Sequence, residues 1–316
     1  YDIKDLEYIF KYAQSLKSIG RFEDALYWME KYQKTKKPTI AGTNVGKNQT
    51  FLPNETITAN NYAKNQIVPK KEVTNRESKF ILENLYNINT PFSDFGVTAY
   101  QNTILFSSPR KLKEISTNVN ESNSGNYLDV YQVNEDEIDF KDRKKRFSKN
   151  VNAKFHESSI SFSPDNSVMY FTRNNYNYGK YNVDGRGYIN LKIYKSEFVN
   201  NRWQNIEELP FCSDNYSVGH PTVSKDGKLL YFVSDMPGSL GATDLFVVDI
   251  KNDGSFGKPK NLGKTINTKG REMFPFIADD NTLYFSSDGH QGIGNLDIFE
   301  SKIVNQEFQN PVNLEA

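Results

Sequence analysis

The spacing of apolar residues changes twice along this chain. In the first 32 residues, Ile3, Leu6, Ile9, Phe10, Ala13 and Leu16 recur at helical spacing up to Gly20, and Phe22, Ala25, Leu26, Met29 and Tyr32 do so after it. Two short helices are predicted there. Residues 33–78 are polar, rich in Asn, Thr and Lys, and show no period, which reads as a linker or long surface loop. A short helix or strand over 75–88 then leads into a region of brief apolar runs separated by turn residues, beginning at Phe92.

That last region repeats itself. The stretch 283–299, LYFSSDGHQGIGNLDIF, matches 230–246, LYFVSDMPGSLGATDLF, at its apolar triplet, its Ser-Asp pair and its closing Asp-apolar-Phe. Met169-Tyr170-Phe171, followed by Ile193-Tyr194, and Ile104-Leu105-Phe106, followed by Asp129-Val130-Tyr131, are two earlier copies. The period is roughly 50–65 residues, the range of propeller-type repeats. Each copy reads as four short strands. In the last they are 273–278, 283–287, 296–303 and a short strand within 305–314; in the third they are 221–224, 228–234, 244–250 and 259–262. Asp-Gly between alternating apolar runs is a strong hairpin signal. Four-stranded units repeated in this way are blades of a β-propeller, each needing neighbours to bury its faces. The triplets are expected on equivalent inner strands of four successive blades.

The repeat also governs the candidate chemistry. The glycine-rich turn 288–294 lacks the following helix of a phosphate cradle, so its glycines are expected to supply a tight, positive-φ connection between strands. Asp129, Asp244 and Asp297 begin equivalent strands and invite a catalytic reading. Lys192 stands at the fourth such position, which favours side-chain hydrogen bonds to loop backbone instead. The histidines, His156, His220 and His290, show no metal-ligand spacing, and no G-x-S-x-G elbow is present. The segment 182–190, NVDGRGYIN, lacks the ligands of a calcium loop and reads as an exposed hairpin tip. The basic run 141–149 reads as a solvated blade edge. Trp203, Phe256 and Phe308, at turns before the fourth strands, are expected to pack rather than to bind sugar. No catalytic, cofactor-binding or metal-binding residue is assigned, and no cofactor is expected.

Composition adds limits. Among 316 residues, Lys plus Arg and Asp plus Glu are both 39, so no overall basic bias points to nucleic acid. The 22 Phe and 19 Tyr suit a β-rich fold. Cys212 is the single cysteine, so no internal disulfide can form. No apolar run approaches the ~20 residues that span a bilayer.

The helical pair, with Ala13, Leu16, Gly20, Phe22, Ala25 and Met29 where two helices would touch, resembles a tetratricopeptide repeat. The segments FSDFGVTAYQNTILFSSPR, SFSPDNSVMYFTRNN, the run from Asn190 to Ile250 and GREMFPFIADDNTLYFSSDGHQGIGNLDIF resemble the WD40-like, TolB-type propeller of OmpA-family outer-membrane lipoproteins of Bacteroidota associated with type IX secretion and gliding. The resemblance covers residues 1–32 and about 85–316. It implies a mainly β protein with an α-helical N-terminus: tetratricopeptide-type helices at 1–32, a linker or loop at 33–84, and at 85–316 a propeller that continues beyond this chain. It also implies a non-catalytic periplasmic scaffold that binds an outer-membrane or secretion-system protein. Peptidoglycan binding and a lipid anchor would lie in segments outside this chain. A propeller enzyme or a carbohydrate-binding module acting on a glycan is the competing expectation, distinguished by whether unlike polar groups converge in the channel.

Overall fold

The structure is a computed structural model. It describes residues 85–110, 119–120, 125–138, 144–177, 179–292 and 296–314, and positions 9, 12, 13, 16, 21, 24, 27, 28 and 31 near the start. The expected linker at 33–84 lies outside the described residues. The chain divides into two compact units, one of residues 1–80, 287–299 and 313–316, the other of residues 81–286 and 300–312.

In the first unit, positions 9, 12, 13, 16, 24, 27, 28 and 31 are helical. Ile9, Ala13 and Leu16 are buried at helical spacing. Tyr12 meets Trp28 edge-to-face at 5.2 Å, and Lys31 lies over the Trp28 ring at 4.6 Å.

The repeats form four separate antiparallel sheets, here blades 1 to 4. Blade 1 contains Phe95–Tyr100, Thr103–Ser108, Asp129–Asn134 and Lys145–Arg146; blade 2 contains Glu157–Phe162, Val168–Asn174, Leu191–Val199 and Arg202–Glu208. Blade 3 contains Val218–Val223, Leu229–Ser234, Asp244–Asp249 and Lys260–Asn261; blade 4 contains Glu272–Ile277, Thr282–Ser287, Asp297–Val304 and Glu307–Phe308, with Val312–Asn313 also pairing with its third strand. Each apolar triplet falls on the second strand of a different blade, as expected. Strand starts differ from expectation by up to three residues: blade 1 begins at Phe95 rather than Phe92, and blade 3 at Val218 rather than Pro221. Gly219 and His220 join the sheet although their composition reads as a turn, because a register shift between Gly219 and Thr222 absorbs the extra residue.

Alternation assigns the two faces of each blade. Leu105 and Val130 of blade 1 share a buried cluster with Met169, Phe171 and Tyr194 of blade 2. The other face of blade 2, Tyr170 and Ile193, joins Leu230, Phe232, Phe246 and Val248 of blade 3. Period-two side chains therefore serve both neighbours at once. The first strand of blade 2 packs between those of blades 1 and 3, and that of blade 3 packs against that of blade 4.

Two polar devices recur with the blades. Val130 and Leu245 are the second residues of their third strands, and Ile193 is the third residue of the longer Leu191–Val199. Asn152 accepts from the Val130 N–H at 2.7 Å and donates to its carbonyl at 2.9 Å. Asn267 does the same to Leu245 at 2.8 and 2.9 Å. In blade 2 the partner is Cys212, whose Sγ lies 3.4 Å from the Ile193 nitrogen and 3.7 Å from its carbonyl oxygen. Each latch precedes the next blade, in Val151-Asn152-Ala153, Ile266-Asn267-Thr268 and Phe211-Cys212-Ser213. The second device is an acid at or just before the first strand. Glu272 accepts from the Thr268 N–H and hydroxyl at 2.9 and 2.7 Å, and Asp94 accepts from the hydroxyl of Thr90 at 2.8 Å.

Replacing Asn267 by Ala strips both backbone partners from a buried pair and is expected to lower stability by about 2–3 kcal/mol in urea unfolding. Cys212→Asn is expected to match or exceed the wild-type midpoint, because an amide fits the same two backbone groups better than a thiol does.

Candidate functional site

Of the acids singled out by the repeat, Asp129 and Asp244 are tied to the outermost strands. Arg146 lies opposite Tyr131, Glu208 opposite Tyr194 and Asn261 opposite Phe246, so the three fourth-strand residues are equivalent. Each meets a residue at the start of its third strand, the first in blades 1 and 3 and the second in blade 2. Asp129 is paired with Arg146. Lys192 reverses the polarity, with Nζ 2.8 Å from Glu208 and 2.6 Å from Asp214. Asp244 accepts from Asn261 at 2.6 Å and from the N–H groups of Leu240 and Gly241 at 2.6 and 3.0 Å. The polarity of the pair differs between blades while a charged or polar link between third and fourth strand is kept. Burial raises the Asp129 pKa despite the Arg146 charge. Burial acts to lower that of Lys192, yet hydrogen bonds to Asp214 and Glu208 hold it above its ordinary value.

The glycine-rich loops need a correction. The expected positive φ is found at Gly238, 101°, but not at Gly292, and Gly294 lies outside the described residues. Space is the requirement instead. A Cβ on Gly241 would collide with the carbonyl oxygens of Thr268 and Gly270, and one on Gly292 would collide with the Asp297 carboxylate.

Left-handed residues occur where composition gives no warning. Gly96, Ser159, His220 and Phe274 lie at the same place in the four first strands and have φ of 66°, 44°, 52° and 51°. Three of these strands shift register there. The His220 ring stacks on Phe274 at 4.1 Å, and Phe95 meets Phe274 edge-on at 5.7 Å. His220 Nδ1 accepts from the Phe274 N–H at 3.4 Å, and burial pushes its pKa down to about 4. His156 accepts through Nδ1 from the Leu128 N–H at 3.1 Å, and burial lowers its pKa too. His290 packs 5.2 Å from Phe299. Among the described residues no cluster of His, Cys, Asp and Glu has the makings of a metal site.

Two buried guanidinium groups complete the blades. Arg110 pairs with Asp94 at 3.0 Å and lies over Phe106; Arg173 pairs with Glu157 at 3.1 Å and lies over Phe171. Burial pushes the Glu157 pKa up to about 8, with Arg173 pulling against it. In blade 3 the place of Glu157 is taken by Val218.

Of the aromatics, Trp203 is 4% exposed and sits within a strand rather than a turn. Phe256 packs against the cluster between blades 2 and 3, and Phe308 is half-buried. The basic run is less solvated than expected: Lys144 is buried and Arg146 is paired. The segment 182–190 forms a turn closed by Asp184, which accepts from the Arg186 and Tyr188 N–H groups. A cleft of about 630 Å³ opens between blades 1 and 2, with Tyr100, Phe147, Phe198, Trp203, Lys149 and Arg202 in its walls.

No protein-family model and no curated protein matches the sequence. Solved structures similar to it include TolB from Acinetobacter baumannii, at 17% identity and TM-score 0.39, covering 67% of this chain and 43% of that one. An alpha-L-arabinofuranosidase from Lactobacillus brevis is 10% identical with TM-score 0.44, covering 70% and 71%. A Mycobacterium tuberculosis puromycin-hydrolyzing peptidase is 14% identical with TM-score 0.38, covering 69% and 30%. The chain thus spans less than half of the TolB and peptidase chains. Among the described residues no helix is long and apolar enough to cross a membrane.

Lys192→Met leaves two carboxylates facing each other and should cost about 1–2 kcal/mol in urea unfolding, while Lys192→Asp combined with Glu208→Arg should recover part of the loss. His220 stays neutral when folded but takes up a proton at about pH 6.5 when unfolded. Stability should therefore fall as pH drops from about 6.5 to 4, by about 3 kcal/mol at full effect. In His220→Asn, which tolerates the left-handed backbone, thermal midpoints across that range should lose most of this slope. Burial pushes the Cys212 thiol up to about 12, so a thiol reagent at pH 8 should label the unfolded but not the folded chain.

Proposed function

We propose that this chain is a non-catalytic scaffold whose propeller, with the helical segments before it, binds a protein partner. The observation that carries this reading is that Asp129, Lys192 and Asp244 are each tied to a fourth-strand residue, Arg146, Glu208 or Asn261. The polar side chains that the repeat brings together are engaged in holding blades, which leaves surfaces rather than a reaction centre as the functional element. At the first strands, the place where an enzyme would gather unlike polar groups, Phe274 stacks on His220 and meets Phe95.

The sequence resemblance supplies the setting. In this reading the protein works in the periplasm at the outer membrane, resembles PorE of the type IX secretion system, and pairs tetratricopeptide-type helices with a TolB-like propeller. It binds a secretion- or gliding-associated membrane protein, and a domain beyond this chain attaches to peptidoglycan. The test is chemical crosslinking in intact cells, followed by purification of the full-length protein from the outer-membrane fraction. Recovery of a stoichiometric envelope protein is expected. Turnover of a glycan or peptide by the purified protein, abolished by substituting a first-strand residue such as Ser159, would overturn the reading in favour of a glycan- or peptide-processing propeller.

A further inference from the structure

The cleft between blades 1 and 2 is not explained by the repeat. Its floor is aromatic. Tyr100 stacks on Phe162 at 4.4 Å and lies 6.0 Å from both Phe147 and Trp203, while Phe198 stands 5.1 Å from Trp203 and remains 39% exposed. Among the described residues the only charged ones in its walls are Lys149 and Arg202, both exposed. Neither forms an ion pair with a described residue, whereas Arg146, Lys192, Lys195 and Lys260 on nearby strands each have a carboxylate partner. Two free cations over an apolar floor, with no acid between them, form a surface of one sign.

The walls are held in place. Val199 pairs with Arg202 across Asn200 and Asn201, whose φ values of 52° and 58° fit a tight two-residue hairpin turn. Asn150 donates to the Trp203 carbonyl at 2.8 Å, tying the chain after Phe147 to the fourth strand of blade 2. A site ordered before binding loses less entropy when it binds.

We propose that this cleft receives an acidic peptide segment of the protein partner, with one aromatic or branched aliphatic side chain resting against Phe147 and the exposed part of Phe198 and flanking carboxylates on Lys149 and Arg202. The proposal rests on the scaffold reading and gives it a surface. A peptide fits better than a sugar because Tyr100 and Trp203 are 9% and 4% exposed, too little to offer the open ring face on which a pyranose stacks. What remains open is a slot for a side chain, the form of an interface anchor.

The probe is a synthetic pentapeptide with a central phenylalanine and two acidic residues on each side, titrated into the full chain while tryptophan fluorescence is followed. The chain has two tryptophans, so Trp28→Phe isolates the Trp203 signal. Saturable quenching or enhancement is expected, weakening with added salt. The double variant K149E/R202E should bind roughly tenfold more weakly with an unchanged urea midpoint, since both side chains are exposed. A peptide with lysine flanks should bind more weakly than the acidic one. No saturable signal at millimolar peptide, or binding that K149E/R202E leaves intact, overturns the proposal. So does saturation by an acidic oligogalacturonide but not by the peptide. Crosslinking of the full-length protein separates the two levels: a partner captured equally by wild type and K149E/R202E removes this cleft but keeps the scaffold, whereas capture of none removes the scaffold.

Discussion

The structure depends on how one blade's third strand is fastened to the chain that starts the next blade. A blade is a small sheet with two apolar faces and little stability of its own, so its neighbours must be fixed at a set distance and angle. Asn152 and Asn267 do this by satisfying an N–H and a carbonyl of the same strand residue, Val130 or Leu245. The bonds are buried beside Val151 and Ile266, both fully inaccessible to solvent. In such surroundings an unmet partner is costly, which makes the pairing specific as well as stabilising. Strand and linker are joined further where the Glu157 N–H donates to Leu128 and the Glu272 N–H to Thr243.

Around this fastening the repeat tolerates chemical substitution. Cys212 replaces asparagine, a lysine with two carboxylates replaces an aspartate with an arginine, and Val218 stands where Glu157 stands one blade earlier. The first two exchanges keep the pairing while changing the groups; the third replaces an ion pair by apolar packing. The same freedom shows in the two blade cores: where Arg173 lies over Phe171 and Tyr194 in blade 2, Phe211 stacks on Phe232 at 4.8 Å in blade 3. A cation and a ring cover the same aromatic pair.

The features left for function are those outside the repeat. First-strand residues of neighbouring blades pack on one another, with Gly96 next to Ser159 and the His220 ring on Phe274. The fourth strands and their hairpins vary most in length, from two residues in blades 1 and 3 to seven in blade 2. Variation there creates the cleft beside Trp203, because the long hairpin of blade 2 stands over a short edge of blade 1.

Several parts of this structure were legible in the sequence. Triplets such as Leu230-Tyr231-Phe232 announced second strands because period-two alternation and Asp-Gly turns are local properties, fixed by residues next to each other in the chain. The structural role of Asp244 was likewise legible, since Lys192 broke the pattern of acids. The latches were not, although Ile266-Asn267-Thr268 and Val151-Asn152-Ala153 are similar in sequence. An asparagine in a loop commonly serves its own turn, and only the return of the chain to Leu245, 22 residues away, gives it another partner. The left-handed Ser159, His220 and Phe274 were hidden for the same reason: their φ follows from crowding among first strands, while side-chain preference alone would place them in extended backbone. Local periodicity determined the strands and their number per repeat. Tertiary packing decided which buried polar groups meet, because that depends on residues brought together only when the blades close on one another.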